Sequence, residues 1–165
     1  MNVKRFLRHL VTDRWIARGV FPERTMTAIE ASIARQETRH DGEIRFAVEA
    51  ALPLGALLAG TTPRARAIEL FSALRVWDTE HNAGVLIYVL LADKDVEIVA
   101  DRGIHARVGA TAWEAICGAM QREFAERRFE AGALLGVRAI SDLLATHFPP
   151  REDNPDELPN RPVIL

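Results

Sequence analysis

Oxygen-bearing side chains flank two apolar segments of this sequence. Asp78 and Asn82 precede the run 84–92, and Asp101 and Arg102 follow the segment 95–100. Carboxylate and amide oxygens are the ligands that hard cations such as Ca²⁺ and Mg²⁺ take. An arginine beside a carboxylate-held metal is also suited to binding phosphate. We therefore predict a Ca²⁺ or Mg²⁺ site with Asp78, Asn82 and Asp101 as its ligands.

A hairpin must bring these side chains together. The apolar run 84–92 is typical of a strand covered on both faces, and 95–100 is a second strand. The two residues between them permit only an antiparallel connection. With Ala92 opposite Asp95, the register places Leu86 opposite Asp101. The open end of this hairpin then carries Asp78 and Asn82 from one strand and Asp101 and Arg102 from the other.

A third strand is predicted over 43–49, where Ile44, Phe46 and Val48 alternate with polar residues. This pattern favours a half-buried strand that lies outside the all-apolar one. A helix over 63–77, with Thr62 as its cap, connects the two strands in a right-handed parallel crossover. Asp41 then joins Asp101 at the same sheet end.

The opposite end of the sheet is an alternative location. It offers Asp93, Lys94, Asp95 and the loop after Glu49. Open α/β sheets usually bind ligands at the carboxyl ends of their parallel strands, which favours this end. Acids at strand ends are also ordinary turn residues, so Asp78 could instead cap a turn.

The predicted fold is a three-layer α/β/α sandwich around a small mixed sheet, with an extra N-terminal helix. Residues 1–22 hold a basic amphipathic helix over 2–19, residues 23–148 form the main domain, and residues 149–165 form a Pro-rich acidic tail. Further helices are predicted over 25–38, 111–128 and 130–147, and a packed loop over 51–62.

Composition excludes several classes of protein. The 165 residues contain one cysteine, which rules out a disulfide scaffold, and carry a net charge of −2. No apolar run reaches the roughly 18 residues of a membrane span, and the charged start does not resemble a signal peptide. The basic N-terminus shows no groove-reading motif, so specific nucleic-acid binding is not expected. We expect a soluble cytoplasmic protein.

Three segments together resemble the TPM domain family, which includes thylakoid-lumen phosphatase-like proteins. They read EIRFAV at 43–48, NAGVLIYV at 82–89 and VEIVADRGI at 96–104, and a Trp113 helix and the turn FEAG at 129–132 follow. The resemblance implies an α/β/α sandwich, Ca²⁺ binding and acid phosphatase activity. Its motifs place these properties on Asn82 and on Asp101, Arg102 and Gly103. Many members also have a signal peptide and a membrane helix, which this chain does not show.

Two functions follow from these observations. In the first, the protein binds a divalent cation and slowly hydrolyses phosphomonoesters, with Arg102 holding the phosphate oxygens and Asp101 acting as ligand or base. In the second, it is a non-enzymatic interaction module. Residues 2–19 and the tail would then contact a protein partner or, peripherally, a membrane.

Overall fold

A four-stranded mixed sheet lies at the centre of the protein, whose computed structural model describes residues 3–151 and 156–165. Its strands are β1 (Glu43–Glu49), β2 (Gly84–Leu90), β3 (Asp95–Ala100) and β4 (Val163–Ile164), in the order β3-β2-β1-β4. β1 runs parallel to β2 and β4, whereas β2 and β3 are antiparallel. The predicted parallel crossover and hairpin are confirmed.

Helices cover both faces of this sheet, which confirms the layered α/β arrangement. Within the described ranges they are α1 (Val3–Val11), α2 (Arg14–Val20), α3 (Glu23–Glu37), α4 (Leu54–Leu58), α5 (Pro63–Ala73), α6 (Arg102–Val108), α7 (Ala110–Ala125) and α8 (Phe129–His147). None of these helices is long and apolar enough to cross a bilayer.

Each face of the sheet has its own hydrophobic core. On one face, Phe46 and Ile87 pack with side chains of α3, α7 and α8. On the other face, Ala47 and Tyr88 pack with side chains of α4 and α5. Every residue of β2 is buried, as its unbroken apolar run predicts.

The predicted N-terminal helix over 2–19 is interrupted. It divides into α1 and α2 because the Asp13 side chain accepts a hydrogen bond from the Ile16 backbone N–H at 3.0 Å and caps a new helix. The helix predicted over 63–77 ends at Ala73, since Arg75 adopts a positive φ of 56°. The predicted loop over 51–62 contains the short helix α4, and α6 was not expected at all.

The prediction that β1 is a half-buried outer strand is wrong. Six of its seven residues are buried, Glu43 and Glu49 among them. Helices cover both faces of β1, and the Glu49 carboxylate accepts hydrogen bonds from Arg66 and the Tyr88 hydroxyl. The tail adds β4, which pairs with Ala47 and Val48 and makes β1 an internal strand. The tail is therefore part of the sheet.

The predicted hairpin register is displaced by two residues. Leu90, and not Ala92, lies opposite Asp95, and Leu86 lies opposite Val99. The backbone N–H groups of Leu91 and Ala92 donate to carbonyls at the end of β1, so these two residues cannot extend the hairpin. Asp101 consequently lies beside Gly84, and the predicted sheet end is unchanged.

Candidate functional site

The end of the sheet at which β1 and β2 begin carries the predicted catalytic pair. Asp101 precedes α6, and its carboxylate accepts a hydrogen bond from the Gly84 N–H at 3.1 Å. Burial raises the pKa of Asp101, and this hydrogen bond opposes the shift. Arg102 is the first residue of α6 and is exposed to solvent. The Asp101 carboxylate is thus held next to the start of the central strand, and Arg102 follows it in the first turn of α6.

The other two predicted ligands lie in the loop before β2. The Asp78 carboxylate is 46% exposed and forms an ion pair with Arg75. Asn82 is exposed and adopts a positive φ of 51°, which asparagine tolerates better than most residues. Among the residues that the structure describes, neither Asp78 nor Asp101 belongs to a group of three carboxylate, histidine or cysteine ligands within mutual reach.

Asp41 lies at the same sheet end but is engaged by an arginine. Its carboxylate accepts a hydrogen bond from Arg151 at 2.8 Å, and Arg151 also lies 2.8 Å from the Nε2 atom of His81. At the opposite sheet end, Asp93 is surrounded by Arg5, Arg8 and His9 of α1. The acid at the alternative location therefore holds α1 against the protein.

A different set of three acids converges at the predicted sheet end. Carboxylate oxygens of Glu37, Glu43 and Asp156 all lie within 4.8 Å of one another. Glu37 is the last residue of α3, Glu43 is the first residue of β1, and Asp156 belongs to the tail. Three separate parts of the chain thus supply one cluster, which we call the carboxylate cluster.

Backbone groups orient two members of the carboxylate cluster. Glu37 accepts a hydrogen bond from the Ile44 N–H at 2.8 Å, and Glu43 accepts one from the Leu158 N–H at 3.3 Å. Asp156 accepts a hydrogen bond from the side-chain amide of Asn160 at 2.9 Å. The folding of the tail against β1 therefore assembles the cluster.

Burial strongly affects the ionisation of this cluster. Burial raises the pKa of Glu37 to about 9, and repulsion from Glu43 adds to the shift. Burial also raises the pKa of Glu43 to about 7. Both side chains are less than 8% exposed. The cluster thus holds at least one proton at neutral pH unless another positive charge replaces it.

The sequence offered only a partial signal for these residues. Glu37 and Glu43 flank the turn His40-Asp41-Gly42, so their closeness follows from a helix–turn–strand connection. Asp156 is more than 100 positions away in a segment without periodicity, and only the path of the tail brings it near. The acids that the sequence analysis selected at this sheet end have other partners, since Asp78 pairs with Arg75 and Asp101 accepts from the Gly84 N–H.

A surface cavity of about 470 Å³ lies between β3 and α7. Glu97, His105 and Cys117 line it. Burial raises the pKa of the Cys117 thiol to about 12, so this thiol is not an activated nucleophile. We therefore do not assign a cysteine nucleophile to this cavity.

Glu37→Gln should remove the pH dependence that this buried carboxyl imposes on stability. Its pKa rises from 4.5 to about 9 on folding, so its contribution to stability is complete below 4.5 and is lost as the pH rises towards 9. We expect the variant, measured without divalent cations, to gain melting temperature relative to the parent as the pH is raised through this interval.

Thermal unfolding followed by circular dichroism at several pH values measures this difference. The exposed Glu114→Gln variant is the matched control and should follow the parent at every pH. A constant difference between Glu37→Gln and the parent across the interval would contradict the raised pKa.

Comparison with known proteins identifies the fold and the family. The sequence profile of the TPM domain matches residues 16–143. The NMR structure of the BA42 protein from the psychrophilic bacterium Bizionia argentinensis is similar, with 31% identity, a TM-score of 0.73, and 86% of this chain and 92% of that chain covered.

A second solved structure shares the fold alone. It is the N-terminal domain of a protein from P. gingivalis, with 14% identity, a TM-score of 0.64, and 82% of this chain and 84% of that chain covered. A search of curated proteins finds no match. Because the domain profile spans most of the sequence, this chain belongs to the TPM domain family.

Proposed function

We propose that this protein binds a divalent cation, Ca²⁺ or Mg²⁺, at the carboxylate cluster. The observation that supports the proposal is the convergence of Glu37, Glu43 and Asp156 oxygens within 4.8 Å. All three ligands are carboxylate oxygens, which hard cations prefer and which softer transition metals do not select. The originally predicted set of Asp78, Asn82 and Asp101 is less suitable, since Asp78 already pairs with Arg75.

Cation binding at this cluster is coupled to proton release. The pKa of Glu37 is raised to about 9 and that of Glu43 to about 7, so both carboxyls favour a proton over a negative charge. A bound cation needs both groups ionised and therefore displaces protons. Affinity should consequently increase with pH from acid conditions up to about pH 9.

Phosphomonoester hydrolysis is the activity that we propose for Asp101 and Arg102, which lie at the same end of the sheet as the carboxylate cluster. A bound divalent cation would supply positive charge to the oxygens of a phosphate. The exposed guanidinium of Arg102 can bind two such oxygens, and the adjacent Asp101 is fixed by the Gly84 N–H. We propose Arg102 as the phosphate-binding residue and Asp101 as the residue that positions an attacking water.

Calorimetric titration of the full chain with CaCl₂ or MgCl₂ tests the cation site. At about 100 times the dissociation constant, the cation should stabilise the native state by about 2.7 kcal/mol. Glu43→Gln should abolish both the binding heat and the increase in melting temperature, whereas Glu114→Gln should preserve them. Repeating the titration in buffers of different ionisation enthalpy measures the protons released.

Unchanged binding in Glu43→Gln would move the site elsewhere. If Asp101→Ala abolished binding instead, the ligand set predicted from sequence would replace the carboxylate cluster.

The same preparations can be assayed with p-nitrophenyl phosphate, for which Arg102→Ala should lower the rate without changing the cation affinity. A rate that is equal in the parent and in Arg102→Ala would overturn the phosphatase proposal and leave the cation site intact.

A further inference from the structure

The N-terminal helix α1 presents its apolar side to solvent. Val3, Leu7, Leu10 and Val11 recur at helical spacing and are between 55% and 70% exposed. Helices of globular proteins normally turn such a stripe towards the core. Leu54 and Leu58 of α4 are also more than half exposed. Four exposed apolar side chains on one nine-residue helix form a group, unlike the isolated exposed side chains that need no explanation.

Polar side chains hold α1 in this orientation. Arg5 donates hydrogen bonds to the Asp93 carboxylate at 2.9–3.1 Å and to the Thr61 carbonyl at 2.8 Å. The Nδ1 atom of buried His9 accepts a hydrogen bond from the Leu52 N–H at 3.0 Å. Although burial opposes ionisation of Asp93, its hydrogen bonds from Arg5 and His9 lower its pKa. The exposure of the apolar stripe is therefore built into the fold.

The charge around this stripe is almost entirely positive. Lys4, Arg8, Arg14 and Arg18 are exposed, and Asp13 is the one acid between residues 3 and 20. The Arg18 guanidinium lies 5.7 Å from the ring centre of Trp15, which is 77% exposed. Exposed apolar residues, an exposed tryptophan and flanking cations are the features of helices that lie in a membrane interface.

We propose that α1 and α2 bind this protein to the surface of a membrane that contains anionic lipids. The stripe of α1 enters the boundary between headgroups and acyl chains, and the basic side chains contact lipid phosphates. Lysine and arginine side chains near such a surface are attracted by its negative potential. This inference concerns the sheet end at Asp93 and is independent of the carboxylate cluster at the other end.

Sedimentation of the full chain with lipid vesicles tests the inference. We expect binding to vesicles of phosphatidylcholine mixed with phosphatidylglycerol, weaker binding at high salt, and little binding to phosphatidylcholine alone. The double variant Leu7→Gln, Leu10→Gln should lower the apparent affinity by about tenfold or more, since two exposed apolar side chains are removed. The charge variant Arg18→Glu should reduce binding to the mixed vesicles.

Two matched control variants replace an exposed apolar residue and an exposed basic residue outside α1 and α2. Trp77→Gln removes an exposed apolar side chain beside the start of β2, and Arg138→Glu reverses an exposed charge on α8. Both should bind vesicles as the parent does. Equal binding by the Leu7/Leu10 variant would overturn the proposal. A dimer in analytical ultracentrifugation that this variant dissociates, without vesicle binding by the parent, would assign the stripe to a second copy and would also overturn it.

Discussion

A chain that ends at residue 155 is expected to melt about 10 °C or more below the parent, because it loses strand pairing and a buried leucine together. Val163 and Ile164 pair with β1, and the Leu165 N–H donates to the Val48 carbonyl at 2.9 Å. Leu158 is 7% exposed in the core on the α5 face. Truncation exposes this face and one edge of β1.

Single substitutions separate the contributions of the tail. Leu158→Ala alone should cost about 2–5 kcal/mol, the usual range for a buried leucine. Asp156→Asn should leave the melting temperature nearly unchanged without cations and should weaken cation binding, since it alters a proposed ligand. Pro159→Ala is the matched control, because it retains the carbonyl that Arg45 binds.

Thermal unfolding and cation titration of these four chains check the role of the tail. If the truncated chain had the same melting temperature as the parent, the tail would contribute no stability to the sheet. A truncated chain that binds the cation as tightly as the parent would exclude Asp156 from the site. These two outcomes are independent of each other.

Gly84→Ala is expected to destabilise the protein by about 3 kcal/mol or more, because a new Cβ atom would overlap backbone. An ideal Cβ at this position would lie 1.9 Å from the Val76 carbonyl oxygen and 2.9 Å from the Val76 carbonyl carbon. A backbone carbonyl cannot move aside as a flexible side chain can. The start of β2 or the loop before it must shift.

This substitution also affects the candidate site. Gly84 donates to the Asp101 carboxylate and accepts from the Asp101 N–H at 2.9 Å, so its displacement moves Asp101. The matched control is Gly103→Ala, where nothing lies within 4 Å of the new Cβ and the helical position favours alanine by up to about 1 kcal/mol. Chemical denaturation of both variants measures the effect. Equal stability of Gly84→Ala and the parent would refute the steric argument.

Local sequence patterns determined most of the secondary structure. The alternation over 43–49 and the apolar run from Gly84 defined β1 and the start of β2, and Thr62 with Pro63 defined the beginning of α5. These signals depend on residues that are close in sequence, where the helical and strand periods apply directly. The hairpin between β2 and β3 followed from the short connection, although its register depended on hydrogen bonds to β1.

Helix ends depended on single capping or strained residues. Asp13 divides the N-terminal segment into two helices, and the positive φ of Arg75 ends α5 before the predicted residue. The periodicity continues across both points, so the apolar pattern alone could not reveal them. A side chain such as that of Asp13 can accept a hydrogen bond from a nearby backbone N–H and so interrupt a helix. Whether this bond forms depends on the three-dimensional arrangement of the chain.

In the candidate site, too, residues close in sequence could be related to one another from the sequence, whereas residues far apart could not. The hairpin brings Asp101 to the residues before β2, so the sequence indicated this sheet end, with the opposite end kept as an alternative. Sequence reasoning selected Asp78, which the structure pairs with Arg75, and it could not find Asp156. The carboxylate cluster needs α3, β1 and the tail in one place.

The sequence by itself determined the layered α/β class, the central apolar strand and the TPM resemblance, because each depends on short-range periodicity or on contiguous motifs. Tertiary structure alone decided that the tail adds β4, that α1 turns its apolar stripe outwards, and that Asp156 lies beside Glu37 and Glu43. These features depend on contacts between segments far apart in the chain. A local sequence pattern cannot predict such contacts, because they stabilise the protein only after both segments have been brought together.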